Sequence, residues 1–349
     1  QRQMCIRDRQ LPPLCQVINA AGKFLIVAPN TPATQQKLLE VQQSLDQWCL
    51  THTYGQVGLG LAWQGAAGND FLRSRQGQPA PFQHLMRRLF EQLNTLKTQR
   101  FTLCGARPAP AIFSGFLDQF HNDKGVCGID GRSPAQQPLG DSGTFISPLA
   151  ADQIAIGGYL TRYQRVLIAQ QPLNNNRLAI PLFGYHVHFS GNDSDTRRLT
   201  DAVVQRELRR AWDFSLPQEE DAPLFQGYAR RAINGYIPVF GSSSRWDNQR
   251  YGYLEQGDPE DPKTLEHLAC DDRWFDEYGT LQGITALATL KGDVDNLGRL
   301  FERGLAQPSF AKMAALSRQL NAFFSLWLPW KCQKDYPNTC LLYTSDAAD

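Results

Sequence analysis

The sequence predicts an α+β protein, and three observations carry that prediction. Short apolar runs alternate as strands do, near residues 23–28, 56–63 and 284–290. Longer stretches between and after them repeat their apolar residues at helical spacing. The strand, helix, strand, helix order of the first hundred residues suits helices lying on one side of an antiparallel sheet.

Taken in order, Lys23–Ala28 (KFLIVA) reads as a strand entered through the turn-like Asn19-Ala-Ala-Gly22. Thr31-Pro32 reads as an N-cap followed by proline at the first helical position. The helix behind it sets Leu38, Val41, Leu45 and Trp48 on one face. Gln56–Trp63 alternates Val57, Leu59, Leu61 and Trp63 with Gln56, Gly58, Gly60 and Ala62, which predicts a second strand. Phe82, Leu85, Met86, Leu89, Phe90, Leu93 and Leu96 then mark a second amphipathic helix. From about Arg100 to Leu281 the pattern is irregular, with Pro and Gly clusters at Arg107–Ala111, Gly131–Gly140 and Gly241–Pro262. Strands are expected there at Tyr163–Ala169, Arg177–Leu182 and Tyr185–Phe189, and a charged helix at Thr200–Trp212. A further unit starts near Gly283, and its helix after Pro308 aligns Phe310, Met313, Ser317, Leu320, Phe324 and Trp327.

The bulk numbers set limits. At 349 residues and 42% hydrophobic content the chain can bury a sizeable core, in two or three domains. A net charge of +1 gives no global basic field, so nucleic-acid contact must come from local patches or from partners. No apolar run approaches the ~20 residues of a membrane span, and no secretory leader is recognisable. Eight scattered cysteines form no disulfide framework, which points to a reducing cytoplasm. The two ends look foreign: TGT CTC TTA TAC ACA TCT GAC GCT GCC GAC encodes Cys340–Asp349, and its reverse complement encodes Gln1–Asp8 in order. Residues 1–9 and 340–349 are therefore expected to be non-native, adapter-like segments.

The most informative stretch is ALATLKGDVDNLGRLF, residues 286–301. Ile284, Ala286, Ala288 and Leu290 alternate with Thr285, Leu287, Thr289 and Lys291, as in a strand buried on at least one face. Side chains two apart point the same way, so Asp293 and Asp295 are expected on one face at the strand's end. Leu297, Leu300, Phe301 and Leu305 then fall at helical spacing, with Asp295 or Asn296 placed to cap the first turn. Two same-face carboxylates at about 6.6 Å repel by roughly 2–3 kcal/mol at an effective dielectric near 20. A hard divalent cation is the natural remedy.

Other readings compete. A capping turn accounts for one Asp but does not require two. An EF-hand fails because Leu297 and Gly304 fall where oxygen ligands are needed. A haloacid-dehalogenase-like phosphotransferase also ends a strand in Asp-x-Asp, with Asp293 as nucleophile and Asp295 as acid. That fold builds most of its sheet after the motif, and only 46 residues separate Asp293 from Thr339. Cys127 has no second cysteine at knuckle spacing, and with Cys104 and His121 it makes no four-ligand zinc set. His186 and His188 share a strand face, which an exposed polar face explains as well as a metal does. The arginine pairs 87/88, 209/210 and 230/231 read as solvated surface, some of it available to phosphates.

LKGDVDNLGRLFERGL, the helix ALSRQLNAFFSLWL and Asp335-Tyr-Pro-Asn-Thr339 resemble the second palm domain of the type III-A CRISPR–Cas large subunit, the Csm-type polymerase-like subunit. NAAGKFLIVAPNT resembles the central hairpin of that family's first palm, and QQSLDQWCLTHTYGQVGLGLAW the helix and strand that follow. VCGIDGRSPA, ISPLAADQIAIGGYL and ARRAINGYIPVF extend the resemblance through the middle. It implies ferredoxin-like, GGDEF-cyclase-like palms: a first, non-catalytic palm over 10–100, a connecting domain over 101–280, and the start of a catalytic-type palm over 281–339.

The implied activity is a metal-dependent nucleotidyltransferase that joins ATP into cyclic oligoadenylate, with an HD domain that cleaves single-stranded DNA. The implied partners are the other effector subunits, guide RNA, target RNA and ATP, with no membrane. By the family pattern Asp293 and Asp295 bind Mg2+ or Mn2+ and catalyse, while Asn296 and the Ser317 of the "LSR" motif contact nucleotide. The departures are a first-palm turn Ala20-Ala21-Gly22-Lys23 without carboxylates, no His-Asp dipeptide, and zinc-type cysteine pairs reduced to Cys127. The family's Gly-Gly-Asp-Asp hairpin is expected straight after Thr339, where the adapter-like tail stands, so this chain alone is expected to make no oligoadenylate. The rival from another class is a purely architectural ribonucleoprotein subunit.

Overall fold

A computed structural model describes residues 15–20, 23–72, 80–99, 101, 115–120, 123–173, 175–191, 205, 207–217, 219, 229–233, 235–241, 246–292, 294–305 and 307–342. In chain order the principal elements are β1 (Gln16–Ala20), β2 (Lys23–Ile26), α1 (Pro32–Thr53), α2 (Pro81–Thr98), α3 (Pro148–Arg162), β3 (Arg165–Ala169), β4 (His186–Ser190), β5 (Leu208–Asp213), β6 (Ala229–Arg230), α4 (Leu265–Asp271), α5 (Leu297–Arg303), α6 (Phe310–Ala322) and α7 (Leu328–Asp335). They form two compact units, one of residues 1–151 with 294–320 and one of residues 152–293 with 321–345.

In the first unit β1 and β2 make an antiparallel hairpin that pairs Ala20 with Lys23, Asn19 with Phe24 and Ile18 with Leu25. Its apolar face meets α2 through Phe82, Leu85 and Met86, whose i, i+3, i+4 spacing puts all three on one side. Phe301 of α5 and Met313 of α6 complete this core, so the late helices close on the first hairpin. The start of α1 follows its sequence: Thr31 Oγ1 accepts from the Thr34 amide at 3.2 Å and Pro32 opens the helix.

The strand expected at Gln56–Trp63 does not form. The segment runs without a strand partner, leaving Val57 and Trp63 exposed. The Gln42 side chain stands in for a ladder: its Nε2 donates to Leu59 O at 2.9 Å, and its Oε1 accepts from the Leu61 amide at 2.7 Å. Alternation sets up a strand face, but only a neighbouring backbone makes a strand.

The second unit holds a four-stranded sheet ordered β4-β3-β5-β6, antiparallel except for the β5–β6 pair. One face packs Val187, Phe189 and Val166 against Ile156, Tyr159 and Leu160 of α3. The charged helix expected at Thr200–Trp212 is corrected where the structure describes it, since Leu208–Asp213 is a strand. Pairing across β3 sets Asp213 opposite Arg165, and that tertiary gain overrides the local helical pattern. Arg177–Leu182 also differs, with only isolated bridges to His188 and Tyr185. The Asp152 carboxylate takes the Ala179 and Ile180 amides, at 2.7 and 2.9 Å, away from any ladder.

Two ionisable groups sit deep in this sheet. Asp213 accepts from the Ser215 amide and hydroxyl at 2.9 and 2.6 Å, and faces Arg165 at 3.7 Å and Arg230 at 4.0 Å. His188, expected on an exposed face, is wholly buried, and its Nε2 accepts from the Leu173 amide at 3.3 Å. Burial pulls its pKa down to about 4; His186 and Arg177 add to this, and a hydrogen bond to the Gln171 backbone opposes it.

Two outcomes are expected. His188 folds neutral, so the stability it confers is complete above pH 6.5 and is lost as pH falls from 6.5 toward 4. Urea titrations across that window should show about 3 kcal/mol of loss that His188→Gln abolishes. Asp213→Ala strands the Arg165 charge in the sheet and should destabilise by roughly 3–5 kcal/mol in the same assay.

Candidate functional site

The site the sequence points to begins where the chain leaves a short pairing of Trp274–Phe275 with Leu281–Gln282. Residues 283–292 make no ladder among the described residues, and Ile284 and Leu290 are 74% and 97% exposed. The buried strand expected here is therefore absent. The Ala286 amide donates to Ala269 O at 3.2 Å, and apolar alternation without a neighbouring strand leaves the side chains in water.

Asp293 lies outside the described residues. Asp295 and Asn296 form the turn that opens α5, and Asp295 is exposed, with no hydrogen bond or ion pair to a described residue. Asn296 stands at the N-cap with φ 54°, a left-handed conformation that Asn tolerates, and its side chain makes no cap bond. The expected side-chain cap fails because a capping residue offers its oxygen from extended backbone, not from the left-handed region.

From this turn α5 sends Leu297 and Phe301 into the core, where Met313 of α6 meets them. One turn beyond Met313, Ser317 is 2% exposed, and its Oγ accepts from the Asn19 amide at 2.9 Å. The apolar stripe of α6 holds through Leu320. A π-turn at Phe323–Trp327 then shifts the register, leaving Phe323 and Trp327 stacked at 5.1 Å and half exposed. The Asn19–Ser317 bond spans 298 residues of sequence, so no local pattern announces it. A serine hydroxyl that accepts one bond keeps its own hydrogen to donate.

No group of three or more His, Cys, Asp or Glu side chains converges among the described residues. Cys104 and His121 lie outside those residues. Cys127 is a buried free thiol in the turn closed by Asp130, whose Oδ1 accepts from the Arg132 and Ser133 amides at 2.8 Å each. Burial pushes the Cys127 thiol up, but hydrogen bonds from the Asp130, Ser147 and Ile129 backbones and the Ser147 side chain hold it below its usual range. No helix among the described residues is long and apolar enough to cross a membrane.

Comparison with known proteins matches two stretches of this chain to palm-containing subunits. Residues 3–107 match the Csm1 subunit domain B, and residues 286–344 match the second palm domain of Cas10/Cmr2. Over both stretches the chain is similar to type III-A Cas10 large subunits. It is 21% identical over 315 residues to the CRISPR system single-strand-specific deoxyribonuclease Cas10/Csm1 (subtype III-A) of Thermococcus onnurineus (strain NA1), covering 88% of this chain and 34% of the relative. Its fold is shared with the apo Csm1–Csm4 cassette, at TM-score 0.58, 16% identity and coverage of 96% of this chain and 35% of that one. The Csm1–Csm4 cassette with one ATP gives the same TM-score, identity and coverage. The chain spans about a third of the length of the curated relative it matches.

Ser317→Ala tests the tie between α6 and the hairpin. It leaves the Asn19 amide without its acceptor and should cost about 1–3 kcal/mol in urea denaturation, whereas Ser317→Thr, which keeps the oxygen, should cost less.

Proposed function

We propose that this chain supplies the first palm, the connecting domain and the opening of the second palm of a type III-A effector large subunit. The palms are of the ferredoxin-like, GGDEF-cyclase-like kind. The whole subunit is a metal-dependent nucleotidyltransferase that converts ATP to cyclic oligoadenylate in antiviral defence. It works in the cytoplasm with other effector subunits, a Csm4-like neighbour among them, and meets guide and target RNA through the complex. Single-stranded DNA cleavage belongs to an HD domain of the whole subunit.

The observation that carries this reading is the second-palm match over 286–344, which contains Asp293, Asp295, Asn296 and Ser317 together. Csm1–Csm4 cassettes of related fold have been solved with one ATP, with cA3 and with cA4.

The donor set suits a hard cation. Asp293 and Asp295 offer carboxylate oxygens, and Asp295 is exposed and unengaged by any described residue. These two residues would hold Mg2+ or Mn2+, which when bound neutralises triphosphate charge. Asn296 presents its amide from an exposed turn, and Ser317 retains a hydroxyl hydrogen for a nucleotide oxygen. The rival reading, an architectural subunit, draws on the engagement of Ser317 by Asn19.

Equilibrium dialysis of the chain with labelled ATP separates the two. Binding should strengthen when Mg2+ or Mn2+ is added and return to the metal-free level in EDTA. Asp295→Asn should weaken metal-dependent binding by roughly tenfold, about 1.4 kcal/mol. ATP binding that ignores both the metal and Asp295 overturns the nucleotidyltransferase reading in favour of the architectural one.

A further inference from the structure

Every residue over 283–292 is exposed, yet Ile284, Ala286, Leu287, Ala288 and Leu290 are apolar. An exposed apolar run that alternates as a strand does is a template for another backbone. The order of its residues points to one such backbone. Ile-Thr-Ala-Leu-Ala-Thr-Leu, residues 284–290, reads the same in both directions about Leu287, with Ile284 answering Leu290. Two copies laid antiparallel about a two-fold axis at Leu287 therefore match residue for residue.

One hydrogen bond selects the free edge. The Ala286 amide donates to Ala269 O of α4, so in a strand the backbone groups of Ile284, Ala286, Ala288 and Leu290 point to the edge that α4 occupies. Those of Thr285, Leu287 and Thr289 then point to the opposite edge. A parallel pair joins one edge of a strand to the other edge of its copy, and α4 stands on one of them. An antiparallel two-fold pair joins like edges, which the side away from α4 allows. Leu287 then exchanges both backbone bonds with Leu287 of the second copy, and Thr285 with Thr289. Ile284 meets Leu290, and Ala286 meets Ala288, at the ~4.5 Å spacing of pairs without hydrogen bonds, where small side chains fit. Lys291 falls opposite Gly283, so no like charges oppose each other.

We propose that residues 284–290 pair antiparallel with the same residues of a second copy of this chain, in a dimer contact centred on Leu287. Threonine faces threonine on one side of the paired strands, and aliphatic faces aliphatic on both. The contact uses no residue assigned to metal or nucleotide, so it stands or falls apart from the nucleotidyltransferase reading.

The test is sedimentation velocity of the chain over a dilution series. The wild-type chain should pass from dimer to monomer as it is diluted. Leu287→Lys sets two like charges against each other on the axis and should weaken dimerisation by roughly tenfold or more. Thr285→Lys combined with Thr289→Lys opposes like charges at both threonine pairs and should weaken it comparably. Thr285→Lys combined with Thr289→Glu opposes unlike charges in the antiparallel register alone and should keep most of the dimer. All these positions are exposed, so each variant should retain the wild-type far-ultraviolet circular dichroism. A wild-type chain that is monomeric at every concentration overturns the pairing. So does association that ignores Leu287→Lys, or equal loss in the two double variants.

Discussion

The candidate site depends on one packing event: α5 and α6 burying Phe301 and Met313 against Ile18, Phe82 and Met86. Burying a side chain of that size is worth about 1.5–3 kcal/mol, and no local force brings residues so distant in sequence together. Once the helices seat, Ser317 lies on a buried stripe where an unpaired hydroxyl would be costly. The Asn19 amide at 2.9 Å removes that cost and fixes how α6 lies on the hairpin. Apolar burial supplies the energy, and one hydrogen bond supplies the register.

The same unit divides its charges by environment. Asp295 stands exposed at a turn with its carboxylate unengaged by any described residue. Lys23 is partly buried, and burial first, with Lys97 second, pushes its ammonium below the ordinary range. In the sheet of the second unit the logic is structural. Asp213 is surrounded by Arg165, Arg230 and Ser215, and His188 is kept neutral by burial. Both are satisfied internally, so neither is free to serve a ligand.

Much of this was legible in the residues. The Thr31–Pro32 start of α1, the face of α2 and the stripe of α6 through Ser317 follow directly from capping chemistry and 3.6-residue periodicity. The strand that starts at Lys23 was read from its apolar run, and the hairpin it belongs to came from the resemblance to a palm. The motif stretch from Asp293 to Ser317 was singled out by its carboxylate spacing and its resemblance to a palm.

What sequence misjudged shares one cause. Gln56–Trp63 and residues 284–290 alternate as strands do, yet a strand exists only where another backbone pairs with it; in the first case the Gln42 side chain took those bonds. Leu208–Asp213 carried a helical charge pattern, but its pairing with β3 decided otherwise. By itself, then, the sequence determined α1, α2 and α6 with their apolar faces, and the residue types of the site, because those are set by neighbours within one turn. Tertiary structure alone decided which strands pair, that Asn19 meets Ser317, and that Asp213 meets Arg165. Those contacts join residues dozens to hundreds of positions apart, and only the closing of the core pays the chain entropy of bringing them together.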